Sequence, residues 1–336
     1  MQFMAPFSTY PMKNKSKAFK RTGEEDILKQ SVSYYVMKND TENELIAKIH
    51  ALGLDGIENL IYGYEPAENI CAKATVGAHL KYWPTWMDFY LGKEDIYRKD
   101  YPTDKDLIDY YGATTPDGWI EHIKLNIKAA LAEKPEYIVW HVADCRVEET
   151  WTRQFRYTSE EVLEKTAEIY SQVASIVPDD VYVLFENIFW PGLCDLTPHE
   201  VDYLFSRLPY KNVGIMLDTG HVMNMDWTIK TEQDGADRIC RIVKELGDMK
   251  NLIKGIHLSC SFSGEYQRNL ERNPPKNPDM GVILNHVTSI DEHKPFKTEV
   301  TAQIVDTIEP EYLTHELFTN GHSLPVEELK VQMKYL

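Results

Sequence analysis

The chain has 336 residues, of which 36 are Lys or Arg and 53 are Asp or Glu, so its formal charge is −17. A chain this acidic repels phosphate backbones, which disfavours general nucleic-acid binding. An apolar content of 43% is ample for a sizeable core, and no apolar run reaches the ~20 residues that span a bilayer. The length suits one large α/β barrel or two ordinary domains.

The N-terminal segment and the cysteines bear on domain organisation and location. Five Lys or Arg residues lie between positions 13 and 21, and no apolar segment follows them as in a signal peptide. We therefore expect a polar extension over residues 1–29 and a barrel domain over 30–336. The five cysteines are odd in number and widely scattered, which is typical of reduced thiols and predicts a cytoplasmic protein. They are Cys71, Cys145, Cys194, Cys240 and Cys260.

Eight short apolar runs alternate with amphipathic segments from about residue 30 to the end. The predicted strands are 31–37, 55–62, 75–80, 136–142, 181–187, 212–218, 252–258 and 311–317. The predicted helices are 41–52, 117–133, 158–177, 197–207, 231–247, 298–308 and 324–334, with a weaker one at 64–73. Eight strand–helix units favour a closed parallel (β/α)8 TIM barrel, a single α/β domain, over an open sheet.

Several predicted helices begin with a capping signal, in which a hydroxyl caps the first turn and a Glu three residues later caps back. Thr41, Thr158 and Thr197 each carry this spacing. No glycine-rich phosphate fingerprint follows the first strand, which argues further against a dinucleotide-binding sheet.

Two connections are too long for plain barrel loops, one after the third strand (81–116) and one after the seventh (259–296). Both should cover the C-terminal mouth, where barrel enzymes keep their active sites. The first connection contains Trp83 and Trp86, and Trp190 follows the fifth strand. These indoles are candidates for stacking on a sugar, although packing beneath the loops explains them equally well.

Potential metal ligands recur at the predicted strand ends. Glu186, Asp218, His257 and Glu316 each close or follow one of the last four strands, and a further five side chains of ligand type lie at strand ends or in the loops after them. These five are His79, His141, His221, Asp291 and His293. Each alone could be a rim salt bridge or a surface polar group. Together, so many acids at one barrel mouth would repel one another without a cation, so the sequence predicts metal binding.

The motifs FENIFWPG, IMLDTGHVMN, IHLS and THELF occur in an order that resembles the xylose isomerase-like barrel superfamily, which contains sugar isomerases, sugar epimerases and endonuclease IV. In the epimerase branch, this resemblance implies that Glu186, Asp218, His257 and Glu316 hold one Mn²⁺-like ion, with His221 beside the substrate. In the endonuclease branch, it implies a trinuclear zinc cluster that also uses His79, His141, His221, Asp291 and His293. Relatives of this barrel often pair, so a homo-oligomer stays open.

Two reactions follow from this ligand set. Mixed oxygen and imidazole ligands suit Mn²⁺, Zn²⁺, Fe²⁺ or Co²⁺. With one ion, we expect an isomerase or epimerase of a small carbohydrate, in which Glu186 and Glu316 act as base and acid through an enediolate. With two or three ions, the expected alternative is a hydrolase or phosphodiesterase. A barrel that only binds a ligand is the third reading, against which the intact acid and base positions argue.

Overall fold

A computed structural model describes residues 28–209, 212–276, 278–318 and 323–336. It shows a single-domain closed barrel of eight parallel strands in sequential order, β1 to β8, with β8 paired to β1. The predicted (β/α)8 TIM barrel is therefore confirmed. The predicted extension over 1–29 lies outside the described residues except for its last two positions, and β1 begins at Lys29.

The observed strands match the predicted runs to within three residues at each end. Their bounds are β1 Lys29–Tyr34, β2 Gly56–Ile61, β3 Thr75–Leu80, β4 Tyr137–His141, β5 Tyr182–Glu186, β6 Val213–Asp218, β7 Ile253–Leu258 and β8 Tyr312–His315. Register places His141 beside Glu186 and Asp218 beside His257. Side chains that close neighbouring strands therefore meet at one end of the barrel.

Helices cover the outside of the barrel and part of its mouth. Their bounds are α1 Glu42–Ala51, α2 Met87–Tyr90, α3 Glu94–Tyr97, α4 Asp104–Tyr111, α5 Pro116–Ala132, α6 Val147–Thr152, α7 Ser159–Val173, α8 Pro198–Phe205, α9 Thr219–Met225, α10 Glu232–Glu245, α11 Gly264–Asn269, α12 Met280–Ile290, α13 Val300–Ile308 and α14 Val326–Met333. Short 3₁₀ turns follow α7 and α10. No helix of the described residues is long and apolar enough to cross a membrane.

One predicted helix is wrong. Residues 64–73, between β2 and β3, form turns rather than a helix. Pro66 lies within this segment, and proline disfavours the helical conformation of the residue before it. The chain therefore crosses from β2 to β3 through turns.

The predicted capping signals differ in outcome. Thr158 forms a complete capping box with Glu161 at the start of α7, and Thr197 accepts the backbone N–H of Glu200 at the start of α8. Thr41 instead donates its hydroxyl to the Glu44 carboxylate over 2.9 Å and accepts no backbone hydrogen bond. The start of α1 is thus correctly predicted, although its cap is not of the predicted kind.

Both long connections are present after β3 and β7, and both contain short helices. The first carries α2, α3 and α4 and ends where α5 begins at Pro116. Its aromatic residues pack on one another, with Phe89 stacked on Tyr111 at 3.9 Å between ring centroids. The second carries α11 and α12. We find these connections to be packed, helix-containing layers over the barrel mouth.

The lower interior of the barrel is filled by a layer of large side chains around Tyr137. Gly77 makes room for that ring, because a Cβ at this position would lie 2.1 Å from the ring's Cζ. The Tyr137 hydroxyl points upward and donates to the carboxylate of Glu58 over 2.8 Å. This layer therefore connects the barrel floor to the polar residues at its mouth.

Candidate metal centre

The predicted tetrad meets at the C-terminal mouth of the barrel. Glu186, Asp218 and His257 are fully buried, Glu316 is 7% exposed, and each offers a ligand atom within 4.8 Å of the other three. Three of them lie in the last two positions of β5, β6 and β7, and Glu316 directly follows β8. Parallel strands deliver their C-terminal side chains to one point, and this placement follows from strand phase.

Glu186 links this tetrad to a second group. Its Oε2 lies 3.1 Å from Nε2 of His79 and 3.0 Å from Nε2 of His141. Its other oxygen, Oε1, lies 3.2 Å from Nδ1 of His257 in the tetrad. One buried carboxylate thus turns an oxygen to each group, which is the arrangement of a bridging ligand.

A third group lies beside the tetrad. Asp291 Oδ2 is 3.0 Å from Nε2 of His221 and 2.7 Å from Nε2 of His293. Nδ1 of His221 is also 3.6 Å from Asp218 Oδ1, so this group adjoins the tetrad. His293 has a φ of +46°, a conformation that non-glycine residues seldom adopt and that clusters at functional sites. All nine predicted ligand residues therefore occupy one contiguous centre.

The ring nitrogens that face these carboxylates have a defined protonation pattern. His79 and His221 each donate Nδ1–H to a backbone carbonyl, at 2.9 Å to Leu80 and 2.7 Å to Asn187. In a neutral ring, this leaves Nε2 as a lone pair directed at a carboxylate oxygen. A lone pair facing a carboxylate is repulsive unless a proton or a metal cation lies between them, and the carboxylates raise the pKa of His221 well above its usual value despite burial. Imidazole ligands whose second nitrogen is fixed by a hydrogen bond are typical of metal sites.

Unpartnered buried oxygens also fit a cation. Oδ2 of Asp218 and Oε2 of Glu316 are buried and have no hydrogen bond of good geometry among the described residues, and Nδ1 of His257 lies 3.9 and 3.1 Å from them. An unpaired buried carboxylate oxygen is costly, and a divalent cation would compensate it. Each of the three groups supplies oxygen and imidazole donors without thiolate, a set suited to Mn²⁺, Zn²⁺, Fe²⁺ or Co²⁺.

The acids and imidazoles of the centre shift one another's pKa values. Burial alone would lower the pKa of His257, but the carboxylates of Glu58, Glu316 and Glu186 outweigh it and raise that pKa well above its usual value. Burial raises the pKa of Asp218, and the neighbouring acids Glu316 and Asp291 raise it further. Protons and divalent cations therefore compete for the same excess of negative charge.

Sequence reasoning missed Glu58. It lies inside β2, is fully buried, and its Oε2 accepts the Nε2–H of His257 over 3.0 Å. Thr314 and Tyr137 also donate to this oxygen. The available signal was an acid in the middle of an apolar strand, and a prediction based on strand ends does not include it.

The three predicted stacking residues are all buried. Trp83 and Trp86 donate their indole N–H groups to the carbonyls of Tyr110 and Ala143. Both pack in the main core and, with His141, line a small cavity of about 40 Å³. Trp190 packs beside Phe189, and its indole N–H has no partner among the described residues. Of the three, Trp190 alone retains a free polar group.

Comparison with solved structures identifies the fold. A D-tagatose 3-epimerase-like protein shares 15% identity over 92% of this chain and 97% of its own, with a TM-score of 0.50. Endonuclease IV from Thermus thermophilus shares 14% identity over 91% and 96%, with a TM-score of 0.52. D-psicose 3-epimerase with D-fructose shares 15% identity over 90% of both chains, with a TM-score of 0.50.

These neighbours confirm the predicted resemblance to xylose isomerase-like barrels at the level of the fold. They are mostly enzymes, and they include both branches that the sequence motifs indicated. No protein-family model matches the sequence, and no curated protein matches it. At these identities the neighbours show the fold alone, so the reaction has to be inferred from the centre itself.

Proposed function

We propose that this protein is a multinuclear metal-dependent hydrolase of phosphate esters. The carrying observation is that Glu186 turns Oε2 to His79 and His141 and Oε1 to His257. A single-ion site would not need the first pair of imidazoles, nor the separate group around Asp291. Bound divalent cations in such a site supply an activated water and neutralise charge on a phosphoryl group.

The chain's own residues would position and enclose that chemistry. Glu58 orients His257 through its Nε2–H, and the backbone carbonyls of Leu80 and Asn187 orient His79 and His221. The loops after β3 and β7 cover the mouth and limit access by bulk water. We propose a small phosphoester substrate rather than DNA, because the net charge of −17 opposes a polyanion.

The second candidate is the single-ion sugar isomerase or epimerase. It is favoured by the tetrad, which on its own supplies four ligands. Two of them are glutamates, Glu186 and Glu316, which lie 3.2 and 3.1 Å from Nδ1 of His257. In that reaction one carboxylate would remove a proton from a substrate carbon and the other would return one. An epimerase returns it to the opposite face of the same carbon, and an isomerase returns it to the neighbouring carbon.

Metal analysis combined with a substrate panel tests the proposal. We expect two or three divalent ions per chain and hydrolysis of small phosphomonoesters or phosphodiesters, abolished in Glu186→Gln. Glu265→Gln is the matched control, since Glu265 is an exposed acid on α11. A single ion per chain together with turnover of ketoses, and no phosphoester hydrolysis, would favour the epimerase and overturn this proposal.

A further inference from the structure

Two arginines at the barrel mouth have no carboxylate partner among the described residues. Arg153 follows α6 in the connection after β4, and Arg272 lies in the long connection after β7. Acids outnumber bases by 53 to 36 in this chain, and nearby Arg146 pairs with both Asp100 and Glu148. Arg238, Arg241 and Arg268 also have no ion pair among the described residues, and what sets Arg153 and Arg272 apart is the indole that they share.

Both guanidinium groups stack against one indole. The guanidinium carbon of Arg153 lies 5.4 Å from the Trp227 ring centroid, and that of Arg272 lies 5.2 Å from it. A guanidinium on a ring face keeps N–H groups available for a further acceptor. Nη1 and Nη2 of Arg272 each donate one hydrogen bond, to the carbonyls of Trp151 and Gln267 over 3.4 and 3.0 Å, and each carries a second N–H. Gly264 supports this placement, since a Cβ there would lie 2.4 Å from the Trp227 carbonyl oxygen.

Arg153 carries an uncompensated donor. Its Nη1 is buried and has no hydrogen-bond acceptor in the described part of the chain. Its backbone has a φ of +57°, which is sparsely populated for a side chain of this size. Burial lowers its pKa, and the positive charge of Arg272 lowers it further. An anion would satisfy the donor and relieve this repulsion.

The arginine pair lies on the same face as the metal centre. Arg153, Trp227 and Arg272 belong to the connections after β4, β6 and β7, which all emerge at the C-terminal end of the strands. Phe155, beneath Arg153, packs on the aromatic cluster that contains Phe189. The Phe189 ring is 5.2 Å from that of His221, so one aromatic layer separates the pair from the centre.

We propose that Arg153 and Arg272 bind a second phosphate group of the substrate, away from the bond that is hydrolysed. Guanidinium N–H groups match the oxygens of a phosphate, and the buried Nη1 of Arg153 has no acceptor among the described residues. This assignment rests on the proposed function and narrows its substrate class to small molecules that carry two phosphate groups. The pair then determines specificity, while the metal centre performs the hydrolysis.

A phosphate titration distinguishes binding at Arg153 and Arg272, the proposed phosphate site, from binding at the metal centre. Inorganic phosphate is titrated calorimetrically into the protein as purified, into Glu186→Gln, and into the same background carrying Arg153→Gln or Arg272→Gln. We expect Glu186→Gln to retain one bound phosphate, and each arginine variant to weaken it by about ten- to one-hundredfold. Arg153→Lys, which keeps the charge but not the fork, should weaken it less and guards against misfolding.

Kinetics supply the second arm. With the metal-loaded enzyme, Arg153→Gln should raise KM for a bisphosphate about ten- to one-hundredfold at unchanged kcat, and leave KM for a monophosphate unchanged. Arg241→Gln, an exposed arginine on α10, is the control without effect. The proposed phosphate site is overturned if phosphate affinity is the same with and without Arg153, or if activity is restricted to polymeric DNA. If the metal-loaded protein hydrolyses no phosphoester but still binds phosphate through Arg153 and Arg272, only the proposed function is contradicted.

Discussion

Glu58 accepts the Nε2–H of His257 over 3.0 Å, so the opposite nitrogen of that imidazole faces Glu186 and Glu316 at 3.2 and 3.1 Å. The two nitrogens of the His257 ring therefore have different roles. Nε2 is held by the Glu58 carboxylate, which fixes the orientation of the ring, and Nδ1 is left to bind a metal ion. Such carboxylate–imidazole–metal arrangements raise the basicity of the ligand and fix its tautomer.

Glu58→Gln should therefore weaken metal binding without removing any ligand. The amide oxygen still accepts the Nε2–H, but the negative charge is lost, and we expect affinity to fall about 10–100-fold. Competition with a chromogenic chelator measures this. Tyr137→Phe is the matched control, because it removes one donor to Glu58 and keeps the carboxylate. Equal affinities of Glu58→Gln and the unaltered protein would refute the role of Glu58.

Asp291→Asn should reduce the bound metal by one ion per chain. Asp291 is the only acid of the group it forms with His221 and His293. The tetrad and the group of Glu186 with His79 and His141 do not include it. Elemental analysis of the purified variant reports the stoichiometry. The two remaining groups should still bind their ions, so complete metal loss would show that the three groups form one cooperative unit.

The sequence was sufficient for the barrel, and it singled out nine side chains of ligand type that meet at one end of it; their binding of metal stays a prediction. A buried parallel strand is a short apolar run, and its last side chain must point to the mouth, as Asp218 does after VGIML. The division of those ligands into groups was not predictable. It depends on which oxygen of Glu186 faces which imidazole, and that is set by distances between strands far apart in the chain.

Residues whose role depends on contacts with distant parts of the chain could not be assigned from the sequence either. Trp83 and Trp86 carry the same local pattern whether they stack on a ligand or pack in the core, and the fold of their connection decides between them. Glu58 lies in mid-strand, where the alternation of β2 gives no clear inward face. Arg153 and Arg272 are 119 positions apart, and Trp227 brings them together only in the folded chain.

Gly77→Ala should destabilise the barrel. The added Cβ would meet the Tyr137 ring at 2.1–2.5 Å, and overpacking of this kind typically costs about 1–3 kcal/mol. Chemical denaturation measures the change in the free energy of unfolding. A second substitution, Tyr137→Leu, removes the ring and should make the double variant more stable than the sum of the two single effects predicts. Strict additivity would show that the glycine is not required by the tyrosine.

Asp144→Asn should change how stability depends on pH. Asp144 is buried, its Oδ1 accepts the backbone N–H groups of Trp86 and Met87, and burial raises its pKa to about 7. In the unfolded chain its pKa is about 3.9, so between these values the folded state binds the proton and the unfolded state does not. The contribution of Asp144 to stability is therefore fully present below about pH 4 and is lost as pH rises towards 7.

Asparagine keeps the Oδ1 acceptor and does not titrate. We therefore expect the unaltered protein to lose stability relative to Asp144→Asn as pH rises from about 4 to 7, by at most about 1.4 kcal/mol per pH unit. Above pH 7 the difference should be constant. Denaturant unfolding at several pH values, with both proteins in identical metal-containing buffer, measures it. A difference that does not change with pH would mean that Asp144 is ionised throughout this range, with the two backbone N–H groups outweighing burial.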